Sequence, residues 1–242
     1  MQFVKLFLKE VKNRFIYKKY FLPENEQAII SKAIDEINKI KLKKPKKKIL
    51  INAAWGHGTD IINYLPIFIG SLKKKNIKVQ VSVCNKALSS CELNLIGNNT
   101  PHASFLRSGF SKKINQQSCD KCCARINSLL TKIQDIEIIR YSSNKKDSDF
   151  NLIDEFLKKI NFKKLNFMKL SFMKVEIGLD VKATYQRLTQ TSNYIFSLKN
   201  SEILKRIIRG HCEMVLISKR IIRNYNFDSV LLPHGFYTIQ GT

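Results

Sequence analysis

The sequence has no apolar run long enough to cross a membrane. Its first segment, MQFVKLFLKEVKNRFIYKKYF, is interrupted by Lys5, Lys9, Glu10 and Lys12 before it can form the core of a secretory signal. Both absences lead to the expectation of a cytoplasmic protein. Internal repeats are also missing, and there is no low-complexity segment beyond short lysine tracts. Acidic residues are scarce: 19 Asp+Glu stand against 43 Lys+Arg, a formal net charge of +24. Such an excess attracts polyanions such as nucleic acid, anionic lipid or nucleotide diphosphates. A chain rich in Lys, Ile and Asn is equally the product of an AT-biased genome, so charge alone selects no partner. With 44% hydrophobic residues over 242 positions, the chain has enough apolar material for one large domain or two small ones, which excludes a disordered tail.

Phe3, Val4, Phe7, Leu8, Val11 and Phe15 share one face of an N-terminal helix; Lys5, Lys9 and Lys12 lie opposite, and Arg14 intrudes on the apolar arc. Such a helix either docks on its own domain or lies on an anionic membrane surface. After Pro23, the residues Ile29, Ile30, Ala33, Ile34 and Ile37 recur at helical spacing, and KLKKPKKK reads as a basic linker. Positions 1–45 therefore form helices and linker, and 46–242 form the main domain. Within it, ILINAA (Ile49 to Ala54), VQVSVC (Val79 to Cys84), IEIIRY (Ile136 to Tyr141) and SVLLP (Ser229 to Pro233) read as strands. Helical stretches separate them, including a long one from Ser201 to Tyr225 that Gly210 weakens. This alternation predicts an α/β fold, a Rossmann-like, open, mostly parallel sheet with helices on both faces.

In such sheets ligands sit at the carboxyl ends of strands, where helix N-termini favour anions. WGHGTD follows the first strand there: Gly56 and Gly58 permit a tight turn, His57 projects from it, and Thr59 or Asp60 caps the next helix. The stretch is not the full dinucleotide fingerprint, and a glycine-rich turn is as often purely conformational. LPHGFYTIQG repeats the logic, with His234 and Gly235 after the last strand and Tyr237 and Gln240-Gly241 leading into another helix. Two His-Gly turns at strand ends are expected to face one cleft.

The cysteines are a second constellation. Cys84, Cys91, Cys119 and Cys122 could supply four thiolates to a tetrahedral zinc or an iron–sulfur cluster, although the first pair is spaced more widely than a usual knuckle. Ordinary buried thiols account for the same pattern. Cys212, isolated in a helical stretch, reads as core.

GHGTDIINYLP, VCNKALSSCE, CDKC, Ile177-Gly178 with Arg187, and HGFYTIQG follow one another in an order that resembles the N-terminal part of bacterial glycosyltransferase-like proteins of capsule or surface-polysaccharide biosynthesis. The likeness spans roughly Ile49 to Gly241. It departs from the family pattern at Asn85-Lys86, where an acidic residue and glycine are commoner, and at the extra Cys123. The resemblance implies the N-terminal, acceptor-side half of a GT-B-type enzyme, a nucleotide-sugar donor, a glycan or lipid-linked acceptor, and a site near the inner membrane. It also implies that the C-terminal donor-binding domain is absent and that the fragment alone is inactive. Under that reading His57 is the first candidate for general base, oriented by Asp60, with His234 as the alternative. Gly56, Gly58, Thr59, Gly235, Tyr237 and Gln240 are then candidates for substrate contact. A nucleotide-sugar epimerase of the same fold and a Cys-metal nucleic-acid-binding module are the alternatives. Against the second, the aromatics are not interleaved with the basic residues on any recognition element.

Overall fold

The computed structural model describes residues 24–54, 59–91, 95, 116–189 and 191–232. The N-terminal amphipathic stretch from Phe3 to Phe15 lies outside them. Four strands form a parallel sheet: β1 (Lys47–Asn52), β2 (Ile77–Val83), β3 (Ile136–Arg140) and β6 (Ser229–Leu231), in the order β3-β2-β1-β6. Ile49 is level with Val79 on one side and with Ser229 on the other, and Val79 is level with Ile136. All four segments read as strands from the sequence are in this sheet. The run from Val79 to Val83 is buried on both faces, as a central parallel strand covered by helices must be.

Ile51, Val79, Val81 and Val83 face one layer of helices. These are α1 (Glu24–Asn38), which contributes Ile34 and Ile37; α2 (Thr59–Lys74), with Leu65 and Ile69; and α3 (Gln116–Leu130), with Ile126, Leu129 and Leu130. Leu50, Ile139 and Tyr141 face the opposite side, against Met214, Ile217 and Ile221 of α6 (Leu198–Asn224). Helices therefore cover both faces. The amino-terminal edge is pinned by hydrogen bonds. Lys43 and Asn76 bond each other reciprocally, at 2.8 and 2.7 Å. Asn38 donates to the Lys132 carbonyl and accepts from the Gln134 N–H, while the buried Lys73 ammonium donates to the carbonyls of Ile37 and Gln134.

A second core lies beside the sheet. It is built from α4 (Ser148–Lys158), α5 (Gly178–Thr189), the first half of α6 and a two-stranded antiparallel hairpin, β4 (Ser171–Phe172) with β5 (Val175–Glu176). Ile153, Phe172, Ile177, Val181, Tyr185, Ile203, Leu204 and Ile207 fill it. Met173 and Lys174 turn the hairpin at φ of 52° and 67°, two consecutive left-handed residues as a tight hairpin turn requires. The single parallel layer expected from the strand pattern is thus accompanied by an antiparallel, mainly helical unit. Helix α6 is buried by both cores: Ile203, Leu204, Ile207 and Ile208 serve the second, and Met214, Ile217 and Ile221 the sheet. Gly210 lies buried inside the unbroken helix. Among the described residues no helix is long and apolar enough to cross a membrane.

Candidate functional site

Three strands end at the carboxyl edge of the sheet in side chains that hydrogen-bond one another. Asn52 closes β1, Ser82 is the penultimate residue of β2, and Tyr141 follows β3. The Ser82 hydroxyl donates to Asn52 Oδ1 at 3.1 Å and the Tyr141 hydroxyl donates to the same oxygen at 2.7 Å. The Ala53 N–H donates to the Ser82 carbonyl and the Tyr141 N–H to that of Val83, both at 3.0 Å, so the backbone stays paired to the rim. Burial pushes the Tyr141 phenol well above its ordinary range, and a negative charge on nearby Cys84 would push it further. Tyr141 is therefore a neutral donor, and Asn52, Ser82 and Tyr141 form a polar, uncharged cluster at the rim.

Beyond Val83 the chain turns through Asn85 and Lys86, both left-handed at φ of 40° and 65°. Glycine would be unstrained at either position, which explains physically why one suits the second. Asn85 compensates by side-chain bonding: its amide donates to Ser142 Oγ at 2.8 Å and its Oδ1 accepts from the Ser142 N–H at 3.2 Å, joining the turns after β2 and β3. Lys86 pairs with Asp120 of α3, and its backbone N–H is directed at the Cys123 thiol.

The same contacts locate the cysteines. Burial pushes the Cys84 thiol up to about 11, against the pull of the Leu88 and Ala87 N–H groups, and Cys123 and Cys119 raise it further. Cys119 and Cys123 are one helical turn apart on α3, and both are near enough to Cys84 at the end of β2 for their charges to act on it. Cys91 packs with Leu50, Ala54 and Leu88 in the cluster that Cys84 also touches. Cys122 lies on the inward stripe of α3 that continues through Ile126 and Leu129. Of the four expected ligands, Cys84 and Cys119 thus interact electrostatically, as does Cys123, which was not among the four. Among the described residues no group of three His, Cys, Asp or Glu side chains is arranged to hold a metal ion. Cys212 is fully buried in α6, as its reading as core requires.

The loop from Cys84 to Cys91 is held from below by α6. The Glu213 side chain, 1% exposed, accepts from the Ser89 N–H at 2.7 Å and from Lys145 Nζ at 2.9 Å. Lys145 also donates to the Ala87 carbonyl at 2.7 Å and lies 4.7 Å from the centre of the Phe150 ring. Two turns further on, the Arg220 guanidinium pairs with the Asp149 carboxylate through both amino nitrogens and donates to the Asn144 carbonyl. Burial alone would raise the Asp149 carboxyl; Arg220 and the Lys146 N–H hold it below its ordinary value. These two ion pairs fix the loops after β2 and β3. They were not legible in the sequence because their partners are 68 and 71 positions apart.

The turn candidates fall elsewhere. Gly56, His57 and Gly58, with His234, Gly235, Tyr237 and Gln240, lie outside the described residues. Thr59 and Asp60 open α2, but their side chains are also outside the description. Ile177-Gly178 is explained by packing: a Cβ on Gly178 would lie 1.7 Å from the Phe167 carbonyl oxygen, and Ile177 is fully buried. Arg187 is in the last turn of α5, within the second helical unit. Comparison with protein-family models, with curated proteins and with solved structures gave no match.

Proposed function

We propose that the carboxyl edge of the sheet, at the junction of β1 and β6, is the ligand crevice of a glycosyltransferase-like, GT-B-type acceptor-side domain. It would take a nucleotide sugar and a glycan or lipid-linked acceptor. One observation carries the reading. In the order β3-β2-β1-β6 the chain leaves β1 through α2 toward β2 on one side, while β6 pairs with β1 on the other. In an open parallel sheet the crevice forms where connections diverge in this way. The sequence positions that continue from those two strands are Trp55-Gly56-His57-Gly58 and Pro233-His234-Gly235. The start of α2 at Thr59 adds N–H groups suited to a diphosphate.

In this reading His57 takes the proton of the acceptor hydroxyl as that oxygen bonds to the anomeric carbon and the bond to the nucleotide diphosphate breaks. The diphosphate leaves against the α2 N-terminus, and Asp60 orients the imidazole. His234 contacts donor or acceptor from the β6 side. The thiols carry no step. Trp55, the single tryptophan, is next to the turn and reports on it. Titration of the full chain with a uridine diphosphate sugar should change Trp55 emission, and absence of any response to nucleotide diphosphates would overturn the reading. His57→Ala should keep that binding and lower sugar transfer on the order of 10²-fold or more.

A further inference from the structure

Helix α2 is apolar on two faces, and only one of them is used by the core. Leu65, Ile69 and the close-packed Gly70 point inward, where a Cβ on Gly70 would lie 2.8 Å from the Ile37 side chain of α1. On the other side Tyr64, Ile67 and Phe68 are 56%, 56% and 51% exposed. A surface helix ordinarily presents polar residues there. Spacings of three and four residues continue this outer stripe through Ser71 to Lys74 and Lys75, all exposed. On α1, which packs alongside, Ile29 and Lys32 are exposed too. The stripe therefore begins with aromatic and aliphatic side chains and ends in lysines. Glu36, whose carboxylate feels Lys74, is already bonded to Lys39 at 2.6 Å.

We propose that this outer face of α2 docks on an anionic phospholipid surface. Ile67 and Phe68 enter the acyl boundary, the Tyr64 ring sits at headgroup level, and Lys74 and Lys75, aided by Lys32, meet lipid phosphates. Charge decides the partner. With a net charge of +24 a second copy of the chain is repelled, and a nucleic acid would engage the lysines while leaving the apolar trio in water. A bilayer with anionic headgroups satisfies both halves of the stripe at once. The surface contains no residue of the crevice, so its failure would leave the sugar-transfer reading standing, and the converse holds.

Flotation of the full chain with vesicles of phosphatidylcholine alone, and with about one third phosphatidylglycerol, tests the proposal. Partition into the anionic vesicles should exceed that into the neutral ones and fall with added salt. Tyr64→Ser/Ile67→Ser/Phe68→Ser and, separately, Lys74→Glu/Lys75→Glu should each lower it about tenfold or more. All five positions are exposed, so melting temperatures should match the parent and show that the loss is not unfolding. A chain carrying Trp55→Phe and Phe68→Trp should show blue-shifted emission on anionic vesicles. Unchanged partition of the triple variant, or vesicle binding without the blue shift, would place lipid contact elsewhere and overturn the proposal. So would association of the stripe with an acidic protein but not with vesicles.

Discussion

Gly178 and His211 show how single positions are dictated by their surroundings. At Gly178 the obstruction is a backbone carbonyl, which cannot rotate away like a side chain, so Gly178→Ala must displace either the segment at Phe167 or the start of α5. A loss of about 2–4 kcal/mol in urea denaturation is expected. His211 is fully buried in α6, with Nδ1 2.9 Å from the Ile207 carbonyl oxygen and Nε2 without a hydrogen-bond partner. Burial lowers its pKa to about 4, the carbonyl opposing. The unfolded chain takes up a proton below about pH 6.5 while the folded chain does not, so stability is greatest above that pH and declines toward pH 4. The full decline is on the order of 3 kcal/mol. Urea midpoints measured between pH 7 and pH 5 should fall, and His211→Leu should flatten that slope.

At the scale of elements, the loop after β2 is shaped less by its own sequence than by Glu213 beneath it. Removing that carboxylate leaves the Lys145 ammonium, whose side chain is 18% exposed, without its counter-charge, and leaves the Ser89 N–H without its acceptor. Glu213→Ala is expected to cost about 3 kcal/mol, and hydrogen exchange at Ser89 should accelerate more than at Val81 in the centre of β2. The sheet strands were legible as short apolar, mostly β-branched runs between helical stretches; β2 is buried along most of its length, whereas β6, exposed throughout, carries the same pattern in SVLLP. The clamp was not, since a Lys and a Glu far apart in sequence carry no local signal. The hairpin unit lay between these cases. NFKKL and NFMKL each begin with an Asn whose side chain accepts from the N–H two residues on, Lys163 and Met168 respectively. That Asx-turn chemistry was readable, although no apolar periodicity accompanied it. Among the cysteines, spacing pointed to Cys122, but helical phase turns Cys122 inward and brings Cys123 toward Cys84.

For the whole molecule, α6 joins the two cores, with residues of one helix buried in each. Opening either core exposes a face of α6 and weakens its hold on the other. Urea unfolding followed by far-ultraviolet and near-ultraviolet dichroism should therefore coincide in a single transition; two separated transitions would show that the helical unit and the sheet are independent. The parallel sheet with helices on both faces was readable from the alternation of elements, whereas the strand order was not, because hydrophobic pattern specifies faces and leaves neighbours open.

The pairing of β1 with β6 also has a consequence in time. Ile49 is level with Ser229, and the backbone N–H groups of Lys48 and Asp228 are each bonded to the other residue, at 2.7 and 2.8 Å across 180 positions. During synthesis β1, β2 and β3 emerge first and can assemble once Arg140 is made, with one flank of β1 bare until the chain has been extended from Arg140 to β6 at Ser229. Contacts so distant along the chain form late, and a nascent sheet waiting with an open flank is prone to pair with a neighbouring nascent chain. Pausing of translation before Ser229 should therefore raise the aggregated fraction of newly made protein, while pausing after Leu232 should not.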